Sequence, residues 1–247
     1  MKIKKFWEII ALLVAIFVII LGVIWGMEAY QHGKGGLLKA DRFYTKTASS
    51  TPQLQTYAVP KAPSLQPSDH LIGSPKAKLK IFVYEDYTNV FSAELALTLD
   101  ALMKNFGQQV AIVARPYLKN QADIWPALAL NCAASQNKWL TMRFWLFNRV
   151  RQGQTGIPSV SDVASQLGLN AKAFNSCLTN AQKSGRIETV NQDLVTDAVQ
   201  GTPTMFIGSQ MIIGARPYNN YIDSNGDQVL GLKELTTQEL AQASLNR

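Results

Sequence analysis

The chain has 247 residues, of which 47% are hydrophobic and 17% charged, and it carries a formal net charge of +7. Residues 1–68 contribute +5 of that charge and residues 69–247 only +2, so the longer part is almost neutral. Without a basic stripe or a set of stacking aromatics, the sequence argues against nucleic acid as a partner. The length allows one domain of good size plus additional segments.

The chain begins with an apolar run over residues 9–27 that contains no charged residue. At about 1.5 Å per residue it is long enough to cross a hydrocarbon core about 30 Å thick. It also exceeds the roughly 7–15 apolar residues of a cleaved signal peptide. Lys2, Lys4 and Lys5 precede the run, which favours a cytoplasmic N-terminus. We therefore expect a cytoplasmic stub over residues 1–8 and a single-pass signal anchor in the cell membrane, with the C-terminal domain extracytoplasmic.

Residues 28–68 lack a sustained hydrophobic period and contain clusters of glycine, serine and proline. Glycine-rich stretches make a chain flexible and prolines stiffen it, so the segment is predicted to be a tether. The basic residues of the anchor and tether could contact anionic headgroups, which makes the membrane a predicted partner.

A β-α-β unit is predicted next. Residues 79–84 form an apolar run typical of a central strand. Residues 90–105 place apolar side chains at three- and four-residue spacing, which predicts a helix with one apolar face. Gly107 suits the position just past its end. Residues 109–114 are typical of a second strand, and a crossover of this length predicts a right-handed parallel pair.

Residues 121–200 are predicted to be helical, and the remaining C-terminal residues are mixed. Two strands over residues 204–207 and 211–213 are expected to pair across a short turn. Thr236 and Glu239 have the spacing of a capping box, which predicts that a final helix begins there. The expected helical segments of the block are residues 122–149, residues 161–167 capped by Ser161, residues 171–178 capped by Asn170, and residues 185–200.

Three short motifs resemble the DsbA-like family of thioredoxin-fold proteins: residues 69–73, Asn89-Val90-Phe91-Ser92 at the predicted helix start, and Gly201-Thr202-Pro203 before a strand. The resemblance spans about residues 69–218. It implies an α/β thioredoxin fold with a helical insertion over about residues 121–200, in a domain 69–247 that follows the transmembrane helix. A hairpin and helix over about residues 219–247 extend the domain beyond the family pattern.

In that family two cysteines with C-x-x-C spacing stand where this chain has Asn89 and Ser92. A cysteine at a helix N-terminus is favoured as thiolate, and the second cysteine resolves the mixed disulfide. Asn89 is a strong N-cap residue but has no sulfur, and an unactivated hydroxyl at Ser92 cannot replace a thiol. No motif places His32 or His70 as a base. These degenerate redox-motif positions predict no catalytic residue and no cofactor.

The resemblance implies that the Thr202–Pro203 peptide bond is cis and faces the helix start. There it implies a groove in which an extended polypeptide binds by strand addition, with Asn89, Val90, Phe91, Thr202 and Pro203 as its candidate residues. The alternative is that Pro203 only starts a strand.

Cys132 and Cys177 are the two cysteines of the chain. In an extracytoplasmic domain such a pair is typical of one structural disulfide, and DsbA-like sequences from some bacteria carry a second pair in similar positions. The alternative is a relocated redox couple, which the apolar neighbours of both residues disfavour. With two histidines far apart, the cysteines do not suggest a zinc site.

Residues 223–234 match much of an EF-hand calcium loop. Position 6, which requires glycine, is Gln228, and no helix is predicted before the loop. The alternative is a β-hairpin with a type I′ turn at Asn225-Gly226, and it is favoured over a calcium site. The candidate calcium ligands are Asp223, Asn225, Asp227 and Glu234.

Three functions are consistent with these residues. The first is a non-catalytic domain that binds an extended or unfolded polypeptide, or a partner envelope protein. The second is a thiol–disulfide oxidoreductase, which needs Cys132 or Cys177 to be exposed and reactive. The third is a structural envelope protein without a groove. The first is favoured because disulfide exchange needs a sulfur at the helix start, where this chain has an amide.

Overall fold

The computed structural model describes residues 57–58, 63–118, 123–154, 156, 158–183 and 199–245. The chain divides into two units, residues 1–47 and 48–247, and every described residue belongs to the second. The predicted stub and anchor, and all of the tether except residues 57–58 and 63–68, lie outside the described residues. Within the described residues, no helix has the length and hydropathy needed to span a membrane.

Six strands form one sheet in the order β1-β6-β5-β3-β4-β2. β3 and β4 run parallel, and the other neighbouring strands run antiparallel. A separate two-stranded hairpin, β7–β8, lies near the end of the chain. The strands are β1 Tyr57–Ala58, β2 His70–Gly73, β3 Leu79–Glu85, β4 Val110–Pro116, β5 Thr204–Ile207, β6 Gln210–Ile213, β7 Tyr221–Ile222 and β8 Gln228–Val229.

The predicted β-α-β unit is confirmed. Helix α1, Val90–Phe106, joins the parallel strands β3 and β4. Asn89 caps its N-terminus, and the N–H of Gly107, at a φ of +52°, donates to the carbonyl of Met103 at its C-terminus. The apolar face of α1 packs on one face of the sheet, and those contacts fix the position of the helix start at the carboxyl end of β3.

The helical insertion contains α2 Ile124–Ala134, α3 Trp139–Arg151, α4 Val160–Leu167 and α5 Ala171–Lys183. The single stretch predicted over residues 122–149 is therefore two helices. The break falls between Ala134 and Trp139, where Asn137 adopts a φ of +59° that cannot continue a helix. Residues 184–198, which hold most of the last predicted segment, lie outside the described residues.

Two caps were predicted in the insertion, and one of them is wrong. Asn170 caps α5, since its Oδ1 accepts the N–H of Ala173 at 2.9 Å. The cap of α4 is Ser159 rather than Ser161, because the Ser159 hydroxyl accepts the N–H of Asp162 at 3.1 Å. Both serines fit the sequence preference, so only the three-dimensional path of the loop selects one of them.

The final helix begins earlier than predicted. Helix α6 spans Leu232–Leu245, so Thr236 and Glu239 lie inside it and not at its start. Both are buried, and the Glu239 carboxylate packs against the β5–β6 turn at Gly208. Burial raises the pKa of Glu239, partly opposed by a hydrogen bond from the backbone of Ser209. Glu239 therefore makes a tertiary contact with the β5–β6 turn and does not cap the helix.

The EF-hand-like residues form the predicted hairpin, but the turn differs from the expected type I′. Only Gly226 has a positive φ, +87°, whereas type I′ requires positive φ at both central residues. The loop runs from Asp223 to Asp227, and Asp223 Oδ1 accepts the N–H groups of Asn225 and Asp227, each at 2.9 Å. Glu234 lies in the first turn of α6. Among the described residues, no group of three or more His, Cys, Asp or Glu could hold a metal ion.

Candidate functional site

Asn89 stands where β3 gives way to α1 and bonds in two directions. Its Oδ1 accepts the N–H of Phe91 at 2.7 Å, which satisfies one of the free donors at the helix N-terminus. Its Nδ2 lies 3.4 Å from the carbonyl oxygen of Thr202, to which it donates. The amide therefore joins the helix start to a loop 113 residues away in the sequence.

The Thr202–Pro203 peptide bond is cis. The hydroxyl of Thr204 donates to the carbonyl of Gly201 at 2.7 Å, and the N–H of Gly214 donates to the carbonyl of Pro203 at 2.7 Å. Bonds from the first residue of β5 and from the residue that follows β6 thus hold the loop beside Asn89. Pro203 is buried, while Thr202 is half-buried.

The surface at this point carries exposed apolar side chains. Val90 and Phe91, in the first turn of α1, are 43% and 61% exposed. Ile213, which pairs with Thr204 at the end of β6, is 50% exposed. The structure thus places Asn89, followed by Val90 and Phe91, beside Thr202 and Pro203, and the groove expected there stays a prediction.

Ser92 is fully buried, unlike its neighbour Phe91. Its Oγ accepts the N–H of Asp86 at 3.3 Å and so stabilises the turn that leads into α1. His70 stacks on Trp139 with ring centroids 4.7 Å apart, and burial lowers its pKa. Nothing in these contacts activates the Ser92 hydroxyl as a nucleophile.

The thioredoxin family profile matches residues 65–223, which is more than half of the chain. The chain belongs to the thioredoxin family. No curated protein matches the sequence.

Three solved structures resemble this thioredoxin-family protein. Wolbachia pipientis alpha-DsbA1 is 15% identical with a TM-score of 0.57, covering 74% of this chain and 96% of that one. A thioredoxin-like oxidoreductase from Silicibacter pomeroyi DSS-3 is 15% identical with a TM-score of 0.53, covering 74% and 95%. BdbD from Bacillus subtilis is 14% identical with a TM-score of 0.55, covering 69% and 92%. At these identities the likeness shows the fold, which is DsbA-like with a helical insertion.

A buried ion pair lies close to the site, and sequence reasoning missed it. Glu85, the last residue of β3, and Arg143 of α3 both have fully buried side chains. Arg143 Nε donates to Glu85 Oε2 at 2.9 Å and Nη2 donates to Oε1. The hydroxyl of Tyr87 donates to Glu85 Oε2 at 3.0 Å. The sequence shows only that Glu85 ends an apolar strand, where a carboxylate needs a partner. It does not show that the partner is Arg143.

The charges of this pair are strongly coupled. Burial alone would lower the pKa of Arg143, but the charge and hydrogen bonds of Glu85 hold it above its ordinary value. Burial, reinforced by the Glu85 carboxylate, raises the pKa of Tyr87 well above its usual value, so its hydroxyl keeps its proton and donates it. The ion pair therefore connects Glu85, at the end of the strand that leads to Asn89, with helix α3 of the insertion.

Arg115 fastens the N-terminal part of the domain to the sheet. Its Nε donates to Asp69 Oδ1 at 2.8 Å, Nη2 to the carbonyl of Ser64 at 2.7 Å, and Nη1 to the hydroxyl of Tyr84 at 2.7 Å. Its guanidinium also lies 5.1 Å from the centre of the Phe82 ring. This network was not predictable from the sequence, because Arg115 lies near the end of the apolar strand β4 and its partners are 31 to 51 residues away in the chain.

The predicted disulfide is confirmed. Cys132 of α2 and Cys177 of α5 are bonded to each other, with Cα atoms 5.7 Å apart. Cys132 is fully buried in the cluster between the insertion helices, and Cys177 packs against that cluster. Both sulfurs therefore belong to the insertion and not to the loop of Asn89.

Replacing both cysteines, by Cys132→Ala and Cys177→Ala, is expected to lower the free energy of unfolding by about 4 kcal/mol, because the bond closes a loop of 45 residues. Urea denaturation of the double variant and of the oxidised wild type measures the difference. A difference below about 1 kcal/mol would contradict a structural role for the disulfide.

Proposed function

We propose that this protein is a membrane-anchored, non-catalytic domain that binds extended polypeptides outside the cytoplasm. The observation that carries the proposal is the pairing of Asn89 with Thr202 beside exposed apolar side chains. Thiol–disulfide exchange requires a thiolate at the helix start. The amide of Asn89 still caps the helix, but it has no sulfur and so cannot take part in disulfide exchange.

The backbone of the loop supports recognition of an extended chain. Asn89 holds the carbonyl of Thr202, while the N–H of Thr202 makes no hydrogen bond to any described residue. A backbone donor without a partner among the described residues, beside apolar side chains, suits strand addition, in which backbone hydrogen bonds give affinity and apolar contacts give preference. The expected client is an unfolded polypeptide or an extended segment of a partner envelope protein, with an apolar residue placed against Phe91.

A thiol–disulfide oxidoreductase is the second candidate, because the names of the similar solved structures include DsbA1 and a thioredoxin-like oxidoreductase. This alternative needs a reactive sulfur. The chain has two cysteines, they are bonded to each other, and Cys132 is fully buried. A structural envelope protein without a groove has less support, since it gives no reason for Val90 and Phe91 to be exposed.

The test measures binding of a fluorescent polypeptide that is kept unfolded by alkylation of its own cysteines. Phe91→Asp is expected to weaken binding at least about tenfold, because it places a charge in the centre of the apolar surface. Leu97→Asp is the matched control, since Leu97 is 47% exposed on the same helix but nearly two turns further along.

Equal weakening by the two substitutions, or no binding by the wild type, would contradict the proposal. Dithiol oxidation that is abolished by Cys177→Ala would establish the oxidoreductase instead. Both assays use the full chain in lipid nanodiscs, so that the anchor is retained.

A further inference from the structure

Four lysines lie at the end of the sheet opposite the candidate site. β2 ends and β3 begins there, so the loop that joins them, residues 74–78, lies at the amino end of β3. The candidate site follows the carboxyl end of β3, a strand of seven residues that is about 20 Å long. We call Lys76, Lys78, Lys80 and Lys104 the lysine surface.

Three of these lysines come from the loop and the start of β3. Lys76 and Lys78 are exposed. Ala77 and Leu79, which alternate with them, are buried. Lys80 is half-buried, but its Nζ donates to the carbonyl of Ala77 at 3.4 Å. This bond holds the third positive charge beside the first two.

Helix α1 supplies the fourth lysine. The helix begins at the candidate site and ends beside the amino end of β4. A Cβ atom placed on Gly73 would lie 2.7 Å from Cε of Met103, so the last turn of α1 packs against the end of β2. Lys104 is the next residue and is exposed, and it therefore lies beside the loop.

Little negative charge offsets these lysines. Among the described residues, none of the four forms an ion pair. Glu239, at the β5–β6 turn, is buried. Asp100 is half-buried one turn before Lys104 and offsets part of its charge electrostatically. Residues 69–247 have a net charge of only +2, so this local excess depends on where the fold places the lysines.

We propose that the lysine surface binds the anionic phospholipid headgroups of the bilayer in which the chain is anchored. The inference rests on the proposed function, of which the membrane anchor is a part. A lysine ammonium is a compact charge on a flexible stem and, unlike the planar guanidinium of arginine, does not select a bidentate partner. Such groups suit a layer of mobile headgroups, where each lysine strengthens binding by about fivefold.

A bilayer is favoured over an acidic protein as the occupant because the anchor keeps it close to the domain. Two linked partners meet at an effective concentration of about millimolar, so an attraction that is weak between separate molecules is sufficient here. The expected result is a preferred orientation of the domain rather than a tight complex.

This orientation leaves the candidate groove accessible. β3 and α1 both extend from the lysine surface to the candidate site, so the two lie at opposite ends of these elements, about 20 Å apart. When the lysines contact headgroups, Phe91 at the start of α1 faces the aqueous phase. An extended polypeptide can then approach it without crossing the headgroup layer.

The test uses NMR on the full chain in nanodiscs that contain a little lipid with a gadolinium chelate on its headgroup, which broadens signals of nearby amides. With about 30% phosphatidylglycerol in the nanodiscs, we expect residues 76–80 to be broadened at least about threefold more than residues 90–91. In phosphatidylcholine alone, or in about 0.5 M salt, this difference is expected to disappear because the attraction is electrostatic.

Two variants with the same loss of charge are compared. The lysine-surface variant carries Lys76→Gln, Lys78→Gln and Lys104→Gln. The control variant carries Lys138→Gln, Lys172→Gln and Lys233→Gln, at positions outside the surface. Lys80 is kept in both because it bonds the backbone of the loop. The difference in broadening is expected to be lost in the lysine-surface variant and kept in the control variant.

Equal broadening at the two ends of the domain with phosphatidylglycerol, a difference that persists in phosphatidylcholine, or equal loss in the two variants would overturn the inference. Soluble polyglutamate is added to phosphatidylcholine nanodiscs as a second probe. If it shifts the signals of the lysine surface while phosphatidylglycerol has no effect, the surface binds an acidic protein and the inference is also overturned.

The polypeptide-binding assay separates this inference from the proposed function. If the wild type binds polypeptide but shows no lipid preference, only the lysine surface is rejected; if the preference is seen without polypeptide binding, only the groove is rejected. A chain that does not stay in nanodiscs rejects the anchor. Co-sedimentation with phosphatidylglycerol vesicles then tests the surface alone: loss in the lysine-surface variant only would support it, and any other pattern would overturn it.

Discussion

Replacing Arg143 with leucine is expected to lower the free energy of unfolding by about 3–5 kcal/mol, because it leaves the Glu85 carboxylate buried without its counter-charge. Both side chains are fully buried, and Arg143 supplies two of the hydrogen bonds to that carboxylate. Tyr87 still donates to Glu85, but one neutral hydroxyl does not compensate a buried charge. Urea denaturation measures the loss.

The double replacement Glu85→Leu with Arg143→Met removes both charges. Comparing its free energy of unfolding with that of Arg143→Leu separates the cost of a buried unpaired carboxylate from the net contribution of the ion pair. Arg143 Nη1 has no hydrogen-bond partner among the described residues, so the pair is incompletely satisfied. Exchanging such a pair for apolar residues is often neutral or stabilising, and we expect the double variant to recover at least about 2 kcal/mol of the loss. A further, triple variant adds Tyr87→Phe, which removes the hydroxyl that loses its acceptor in the double variant.

Arg149→Leu is the matched control for the single substitution. Arg149 lies on the same helix, and its hydrogen bonds to Gln154 and Gly156 are exposed. Its loss is expected to cost less than about 1 kcal/mol. If Arg143→Leu and Arg149→Leu lowered the free energy of unfolding equally, the burial of Arg143 would not matter. If Arg143→Leu and the double variant lost equally, the unpaired Glu85 charge would not be the cause of the loss.

The second large effect is expected from restoring sulfur at the helix start. The double substitution Asn89→Cys and Ser92→Cys is expected to raise catalysed reduction of insulin by dithiothreitol from the background rate by at least about tenfold, and the wild type is expected to stay at background. The first position receives the free N–H groups at the N-terminus of a 17-residue helix, which favour a thiolate. The second position is one turn along the same helix, within reach for resolving a mixed disulfide.

The single substitution Asn89→Cys is the control, because it supplies an attacking sulfur but no resolving one. It is expected to form mixed disulfides without sustained turnover. Ser92 is fully buried, so circular dichroism must show that the larger sulfur at this position leaves the fold intact. Insulin reduction by the wild type above background would contradict the non-catalytic function.

Local patterns in the sequence determined the elements of the site. The apolar run of β3, the apolar face of α1 and the capping preference of Asn89 predicted the β-α-β unit within one or two residues at each end. Each of these signals depends on residues within one or two turns of each other, and the packing of the sheet against α1 agrees with them. The disulfide was also predicted, because the chain has only one possible pairing of its two cysteines.

Elements whose boundaries depend on long-range contacts were not predictable in the same way. Helix α6 begins at Leu232, before the apparent capping box, and the N–H groups of Leu232 and Lys233 donate to carbonyls about 15 residues away, those of Pro217 and Tyr218. Ser159 caps α4 in preference to Ser161 because the helix begins at Val160, one turn before the residue that Ser161 would cap. Two candidate caps of equal local quality differ only in what the folded chain places around them.

The sequence by itself determined that the redox sulfurs are absent and that an amide can cap the helix in their place. Only the tertiary structure decided that this amide bonds Thr202, 113 residues away, and that Glu85 pairs with Arg143, 58 residues away. Such contacts leave no periodic signal in the chain. They form because a buried polar group needs a partner, and only the packed fold brings the partner to it.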